Sequence, residues 1–276
     1  MKSISFVIVS YISQELLRDC IESIIKECEV INIEYEIIVV DNSPNEYKEI
    51  IRLLIASFNI PIMYIPSKNI GYGAGNNLGC QSSKKDIICI INPDVRLKAY
   101  TLKYVFEKLN NDLNLALLGG KQIGGRNISF YLLPEFFVPF LSALIVLISN
   151  RFNLFNSRFF FLSGACFFMP REKFEEVGGF DSNIFLYHEE SDLSKRILAN
   201  NYKIEYDKRI EYIHEMGERN NLSDKTFICM LESLFYYLNK YDLSVKRVGF
   251  FKKIYFRFTD KRLYELFCEF YNKGKL

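Results

Sequence analysis

The chain has 276 residues, 49% of them hydrophobic, which allows one large α/β domain or two small ones around a sizeable core. A formal charge of +2 argues against a broad nucleic-acid footprint, and seven scattered cysteines with no Cys-x-x-Cys pair read as reduced thiols in a cytosolic protein rather than a disulfide framework. The 25 Phe and 18 Tyr, against no Trp, are an aromatic excess that needs a place in the fold.

The opening apolar run, Ile4–Ser10, is too short for a signal peptide and fits a buried first strand. Residues Gln14–Cys28 carry Leu17, Ile21, Ile24 and Ile25 at helical spacing. Tyr35–Val40 reads as a strand, Tyr47–Ser57 as a helix and Ile62–Ile65 as a short strand. A Gly/Asn-rich loop follows, then a small helix near Asn77–Ser82 and a strand at Ile87–Ile91. Strands alternating with helices imply βαβ units with right-handed crossovers and a parallel sheet. Further along come a helix at Thr101–Asn110 and a short strand at Ala116–Gly119.

The pattern then changes. Phe136–Ser149 is apolar but falls short of the ~20 residues a spanning helix needs, so a buried or interfacial segment is expected. Phe159–Met169 is apolar around Ser163-Gly164-Ala165. Lys173–Val177 reads as a short helix stopped by Gly178-Gly179. A helix at Asp192–Asn200, a strand at Lys203–Tyr206 and an apolar helix at Lys225–Asn239 complete the periodic part. The tail mixes Lys246, Arg247, Lys252, Lys253 and Arg257 with Phe250, Phe251, Tyr255, Phe256 and Phe258. Such a segment either lies on an anionic membrane or packs its aromatics on the domain; the membrane surface is the expected partner.

Four stretches carry chemistry, each with an ordinary structural explanation beside it. Asp41 ends an apolar run and opens Asp-Asn-Ser-Pro, good turn chemistry. The functional reading beside it is an acceptor for the imide N–H of a uracil or thymine ring, which Tyr11, just after the first strand, would flank. The stretch from Asn69 to Asn77 matches neither the dinucleotide fingerprint nor the P-loop. It remains a permissive loop whose amides can approach an anion. Asn92-Pro93-Asp94 closes an apolar strand, as a turn or as a holder for Mg²⁺ or Mn²⁺ through Asp94. In Tyr187-His188-Glu189-Glu190-Ser191-Asp192, helix capping accounts for Asp192 but leaves the paired glutamates unexplained. A general base needs a carboxylate held where an acceptor hydroxyl can reach it. Two histidines and no Cys/His ligand spacing rule out an ordinary zinc site.

Taken in order, these residues resemble the family 2 glycosyltransferases, and within them the rhamnosyltransferase-like enzymes that build bacterial surface polysaccharides. The likeness runs from about Ser3 to about Gly217. It rests on Val9-Ser10-Tyr11, Val39–Asn42, Asn69–Gly79, Asn92-Pro93-Asp94, Gly178–Asp181, Phe185–Leu193 and His214–Gly217. It implies a GT-A fold, a Rossmann-like, mostly parallel sheet flanked by helices with a C-terminal helical extension. It also implies inverting transfer from a nucleotide-diphosphate sugar, dTDP-rhamnose or UDP-hexose, to a sugar hydroxyl of a lipid-linked polysaccharide. Residues 1–218 would form the catalytic domain, with a nucleotide-binding half at 1–120 and an acceptor half at 121–218; residues 219–276 would be a basic-aromatic extension. By this likeness Ser10, Tyr11, Asp41, Asn69, Gly71, Asn76, Asn77, Asn92, Gly164 and Ala165 would bind the nucleotide sugar. Asp94 and His214 would hold the metal. Tyr187, His188 and Asp192 would meet the acceptor, and Glu190 or Glu189 would be the base.

Rival readings fit less well. Sugar nucleotidyltransferases open on a Gly-rich, basic first loop, where this chain has Tyr11-Ile12-Ser13-Gln14. Adjacent Glu189 and Glu190 suit a hydrolase poorly. An inactive sugar-binding subunit of a polysaccharide assembly complex is the alternative from another class. A cytoplasmic protein, peripheral on the inner face of the membrane, is the expected setting.

Overall fold

The computed structural model describes residues 1–124, 127–215 and 223–272. Met216 and Gly217 of the His214 motif, and the expected boundary after residue 218, lie outside the described residues.

The first half alternates strand and helix. In order come β1 (Ser3–Ser10), α1 (Gln14–Ile31), β2 (Glu34–Asp41), α2 (Asn45–Ala56), β3 (Ile62–Pro66), α3 (Tyr72–Gln81), β4 (Ile87–Ile91), β5 (Val95–Leu97), α4 (Thr101–Asn111) and β6 (Leu115–Ile123). Strand β1 is buried along its length and pairs in parallel with both β2 and β4. Its side chains alternate between two cores because strand side chains have a period of two. Ile4, Phe6 and Ile8 pack with Leu17, Ile21 and Ile24 of α1, while Val7 and Val9 face the opposite cluster.

The second half runs β7 (Phe130–Leu132), a 3₁₀ turn at Pro134–Phe136, α5 (Leu141–Arg151), β8 (Phe160–Leu162), β9 (Cys166–Pro170), α6 (Arg171–Glu176), α7 (Glu189–Ala199), β10 (Lys203–His214), α8 (Asp224–Lys240), α9 (Val245–Thr259) and α10 (Lys261–Asn272). Eight strands form one sheet in the order β3-β2-β1-β4-β9-β6-β10-β5. Strand β9 runs antiparallel between β4 and β6. The C-terminal ends of β2, β1 and β4 therefore share one edge with the start of β9.

Three expectations are corrected here. The Gly/Asn stretch is mostly helix, not loop. Glycine costs about 1 kcal/mol per helical position, but here it lets α3 lie directly on the sheet. A Cβ on Gly79 would overlap Val7 Cγ1, and one on Gly75 would stand 3.2 Å from Val9. Helix α7 begins at Glu189 rather than Asp192, so both glutamates belong to its first turn. The strand expected at Lys203–Tyr206 continues to His214, with a register shift between Asp207 and Glu211.

The aromatic excess has two locations. Helices α8–α10 share a core of Phe227, Phe235, Tyr237, Phe256, Phe267 and Phe270. Of the rings in the basic tail, Phe256 enters this core and Tyr255 packs against it, whereas Phe250 and Phe258 are 59% and 72% exposed. Polar bonds fasten this unit to the rest: Ser233 Oγ donates to the Leu186 carbonyl, and Tyr237 OH to Glu135 Oε2. The second location is the apolar run before residue 150, which is turned outward. In α5 the serines Ser142 and Ser149 are buried, whereas Leu144 and Leu147 are 53% and 54% exposed. No helix among the described residues is long and apolar enough to cross a membrane.

Candidate active site

The strand-end motifs meet at one sheet edge. Asp41 closes β2 beside Ser10, its register partner on β1. Its carboxylate is fully buried, accepting from Ser43 N–H at 2.9 Å and Tyr64 O–H at 2.8 Å. Ser10 Oγ lies 2.9 Å from Ser13 Oγ, and Tyr11 beyond it is 51% exposed. The neighbouring Asn42 donates to the Gly71 carbonyl, tying β2 to the start of α3.

Gly71 has φ +93°, and a Cβ there would run into the Phe185 carbonyl. This close approach joins the glycine segment to the one that precedes α7: Tyr72 N–H donates to Phe185 O at 2.9 Å. Asn69 folds back to accept from Gly71 N–H. The other two asparagines do not reach the cleft with their bonded atoms. Asn76 Nδ2 donates to Tyr72 O within the helix, and Asn77 holds both the N–H and the carbonyl of Phe180 at 2.8 Å. These bonds fasten α3 to its surroundings and leave Asn76 Oδ1 buried without a partner.

Tyr72 is the residue sequence reasoning missed. Its single hydroxyl proton is shared between Asn92 Oδ1 (2.8 Å) and the Gly164 carbonyl (2.7 Å). Burial, reinforced by the charges of Glu190 and Glu189, holds its pKa well above the ordinary range, so it remains a donor. Asn92 N–H in turn donates to Ala165 O at 2.8 Å, fixing the Asn-Pro-Asp turn against the Gly164-Ala165 corner between β8 and β9. The only signal for Tyr72 was its place inside the glycine motif.

Helix α7 brings the two glutamates to this corner. Tyr187 and His188 precede it, both with positive φ (67° and 70°), a costly conformation for side-chain-bearing residues that turns the chain sharply. The glutamates then separate. Glu189 is 2% exposed, with Oε2 buried and unpartnered beside Gly73. Burial and the neighbouring Glu190 raise its pKa well above the carboxylate range. Glu190 is only half-buried and lies directly over Gly164. Burial pushes its pKa up to about 7, the backbone amides of Glu190 and Gly164 offsetting part of the effect. A carboxylate poised near neutrality takes a proton well.

Asp94, in the turn that leads into β5, and His214, at the end of β10, face each other where these two strands pair, His214 Nε2 lying 3.2 Å from Asp94 Oδ1. That oxygen is buried and makes no aligned hydrogen bond. His214 Nδ1 is 3.2 Å from Gln122 Oε1. With its proton on Nδ1, the imidazole turns the Nε2 lone pair toward Asp94. An orphaned carboxylate oxygen beside a ring nitrogen suits a divalent cation. Among the described residues no group of three or more His, Cys, Asp or Glu gathers to enclose a metal. Two protein ligands with the rest drawn from phosphate oxygens is the usual pattern for Mg²⁺-type sites.

Asp192 is corrected as well. It is fully buried, held by Arg196 Nε at 2.9 Å, Lys240 Nζ at 2.5 Å and Tyr241 OH at 2.8 Å. With three partners it ties α7 to α8 and is closed to an acceptor.

Comparisons with known proteins place the chain in a family and a fold. The family model for glycosyl transferase family 2 matches residues 5–178, ending before Glu189. Rhamnosyltransferase WbbL of Escherichia coli is 25% identical over 248 residues, spanning 84% of this chain and 91% of that protein. The low-salt glycan biosynthesis hexosyltransferase Agl10 of Haloferax volcanii is 22% identical over 222 residues, covering 78% of this chain and 67% of its own length. Among solved structures, mannosyltransferase PcManGT from Pyrobaculum calidifontis, in complex with GDP-Man and Mn²⁺, superposes with a TM-score of 0.63 at 14% identity, over 98% of this chain and 74% of that one. The chain belongs to glycosyl transferase family 2 and is a glycosyltransferase with a GT-A fold.

Proposed function

We propose that the protein is an inverting glycosyltransferase that moves a sugar from a nucleotide diphosphate to a hydroxyl of a lipid-linked saccharide. One observation carries this reading: Tyr72 couples the Asn92-Pro93-Asp94 turn to the Gly164 corner on which Glu190 rests. Glu190 is the base. It removes the proton from the acceptor hydroxyl as that oxygen attacks the anomeric carbon opposite the diphosphate. Glu189, enclosed, supports the site without reaching the acceptor.

Asp41, Ser10 and Tyr11 receive the nucleobase and ribose side of the donor. Asn69, Gly71, Asn92, Gly164 and Ala165 line the path between base and sugar. Asp94 and His214 hold Mg²⁺ or Mn²⁺. When bound, such a cation neutralises charge developing on the departing diphosphate. Tyr187 and His188, at the entry to α7, border the acceptor. The relatives' names speak of rhamnosyl, hexosyl and mannosyl transfer, and dTDP-rhamnose or UDP-hexose is the donor class we favour. The outward apolar face of α5 supports a protein peripheral on the inner face of the membrane, with residues 219–276 as its extension.

Thermal melting with nucleotide diphosphates tests the donor and metal assignments together. Ligand near a hundred times its Kd stabilises by about 2.7 kcal/mol, on the order of 5 °C for a chain of this size. GDP, UDP or dTDP with Mn²⁺ is expected to give such a shift. In Asp94→Asn the Mn²⁺-dependent part is expected to vanish. An equal Mn²⁺-dependent shift in wild type and variant would remove Asp94 from the metal site.

A further inference from the structure

A cavity of about 180 Å³ opens beside His188, two residues before Glu190. Its walls are apolar, built by Tyr131, Leu133, Phe137, Phe161 and Leu234. Two nitrogen groups enter it, His188 and Lys252 of α9. Neither has the partner its chemistry calls for. Lys252 Nζ stands 4.1 Å from the centre of the Phe137 ring, and among the described residues no carboxylate pairs with it. His188 Nδ1 is buried without a hydrogen-bond partner. Burial brings the Lys252 ammonium down to about 8; burial and the nearby Lys252 charge bring His188 down to about 3. The Phe137 ring offsets part of the cost of this buried cation, and a bound anion would offset the rest.

The surroundings say what kind of anion. Apolar walls suit hydrocarbon, not a hydrated ion. The chain flanking Phe137 presents Phe136, Val138 and Phe140 to solvent, 39%, 37% and 54% exposed. The exposed leucines of α5 continue that face. Phe137 and Phe140 both contact Tyr255, which joins this face to α9 and its exposed Lys253 and Arg257.

We infer that this cavity holds the phosphate of an alkyl-phosphate lipid between Lys252 and His188, with the first carbons of its chain along Tyr131, Phe137 and Leu234. The rest of the chain then leaves over the outward face of α5. The site deepens the function proposed above, and its meaning rests on that reading: it is where the lipid link of the acceptor sits while the sugar reaches Glu190.

Isothermal titration of the full chain with dodecyl phosphate, kept below its micellar concentration, tests the assignment. Lys252→Met is expected to weaken binding about tenfold or more, while Lys252→Arg stays within about threefold. Dodecanol and inorganic phosphate are each expected to bind at least about tenfold more weakly than dodecyl phosphate. Lys252→Met binding dodecyl phosphate as tightly as wild type would overturn the inference. So would inorganic phosphate matching dodecyl phosphate, which would mark a plain anion site, or dodecanol matching it, which would mark a greasy cleft. If Lys252→Met fails to fold, the wild-type ranking of the three probes decides. Titration with GDP or UDP in the same samples reads the donor site separately: dodecyl phosphate binding without nucleotide binding would count against the proposed function and leave the cavity assignment in place.

Discussion

Replacing Glu190 by glutamine is expected to lower sugar transfer by about 10³-fold while nucleotide-diphosphate affinity stays within about threefold. Glutamine keeps the size and most of the contacts of the side chain resting on Gly164. It cannot take a proton. The acceptor hydroxyl must then attack without a base, and positioned bases contribute roughly 10²- to 10⁴-fold. Donor binding is unaffected because Asp41, Asn92 and Asp94 belong to other elements. A steady-state transfer assay, with titration calorimetry for the nucleotide, separates the two quantities. Full turnover in Glu190→Gln would reject the residue as base. The matching change at Glu189, 2% exposed and facing Gly73, is not expected to imitate it.

The second large effect is expected at Gly164. A Cβ there would overlap Glu190 Oε1 and stand 2.8 Å from its Cδ. Something must move, and the glutamate side chain gives way more readily than the Gly164 backbone, whose carbonyl is held by Tyr72. Gly164→Ala therefore displaces the carboxylate by on the order of 1 Å, a shift that costs about 10²-fold in rate. Because a flexible side-chain end absorbs the clash, the melting temperature is expected to stay near that of wild type. A circular-dichroism melt beside the transfer assay checks both. Unchanged turnover would show that the carboxylate does not depend on this corner.

Much of this arrangement was legible in the chain itself. Val39-Val40-Asp41 and Ile90-Ile91-Asn92 are apolar runs that end in polar groups, and parallel strands put such ends on one edge. What escaped has identifiable causes. Four glycines between 71 and 79 mask the helix of α3, because propensity counts their cost and misses the close packing on Val7 and Val9 that offsets it. The second half of β10 carries Lys208, Arg209 and Glu211 around a register shift, which breaks the alternation that marks a strand. Asn76, Asn77 and Asp192 look like ligand-binding residues in one dimension. Their partners, Tyr72, Phe180, Arg196, Lys240 and Tyr241, become visible only in the folded chain. Lys252 is one of many basic residues in the tail, and nothing local distinguishes the one that lines the cavity beside His188. The outward turn of α5 is a further case: an apolar run reports hydrophobicity, not which way the helix faces.

The pH dependence of kcat/KM for sugar transfer tests most directly whether Glu190 works as the base over the Gly164 corner. Its carboxyl is raised to about 7 by burial, so its active, deprotonated form is filled as pH rises through that value. Wild type is expected to show a rate that falls tenfold per pH unit below a midpoint near 7, and Glu190→Gln a low rate with no such limb. A wild-type midpoint near 4.5, the ordinary glutamate value, or an identical limb in the variant, would contradict the assignment.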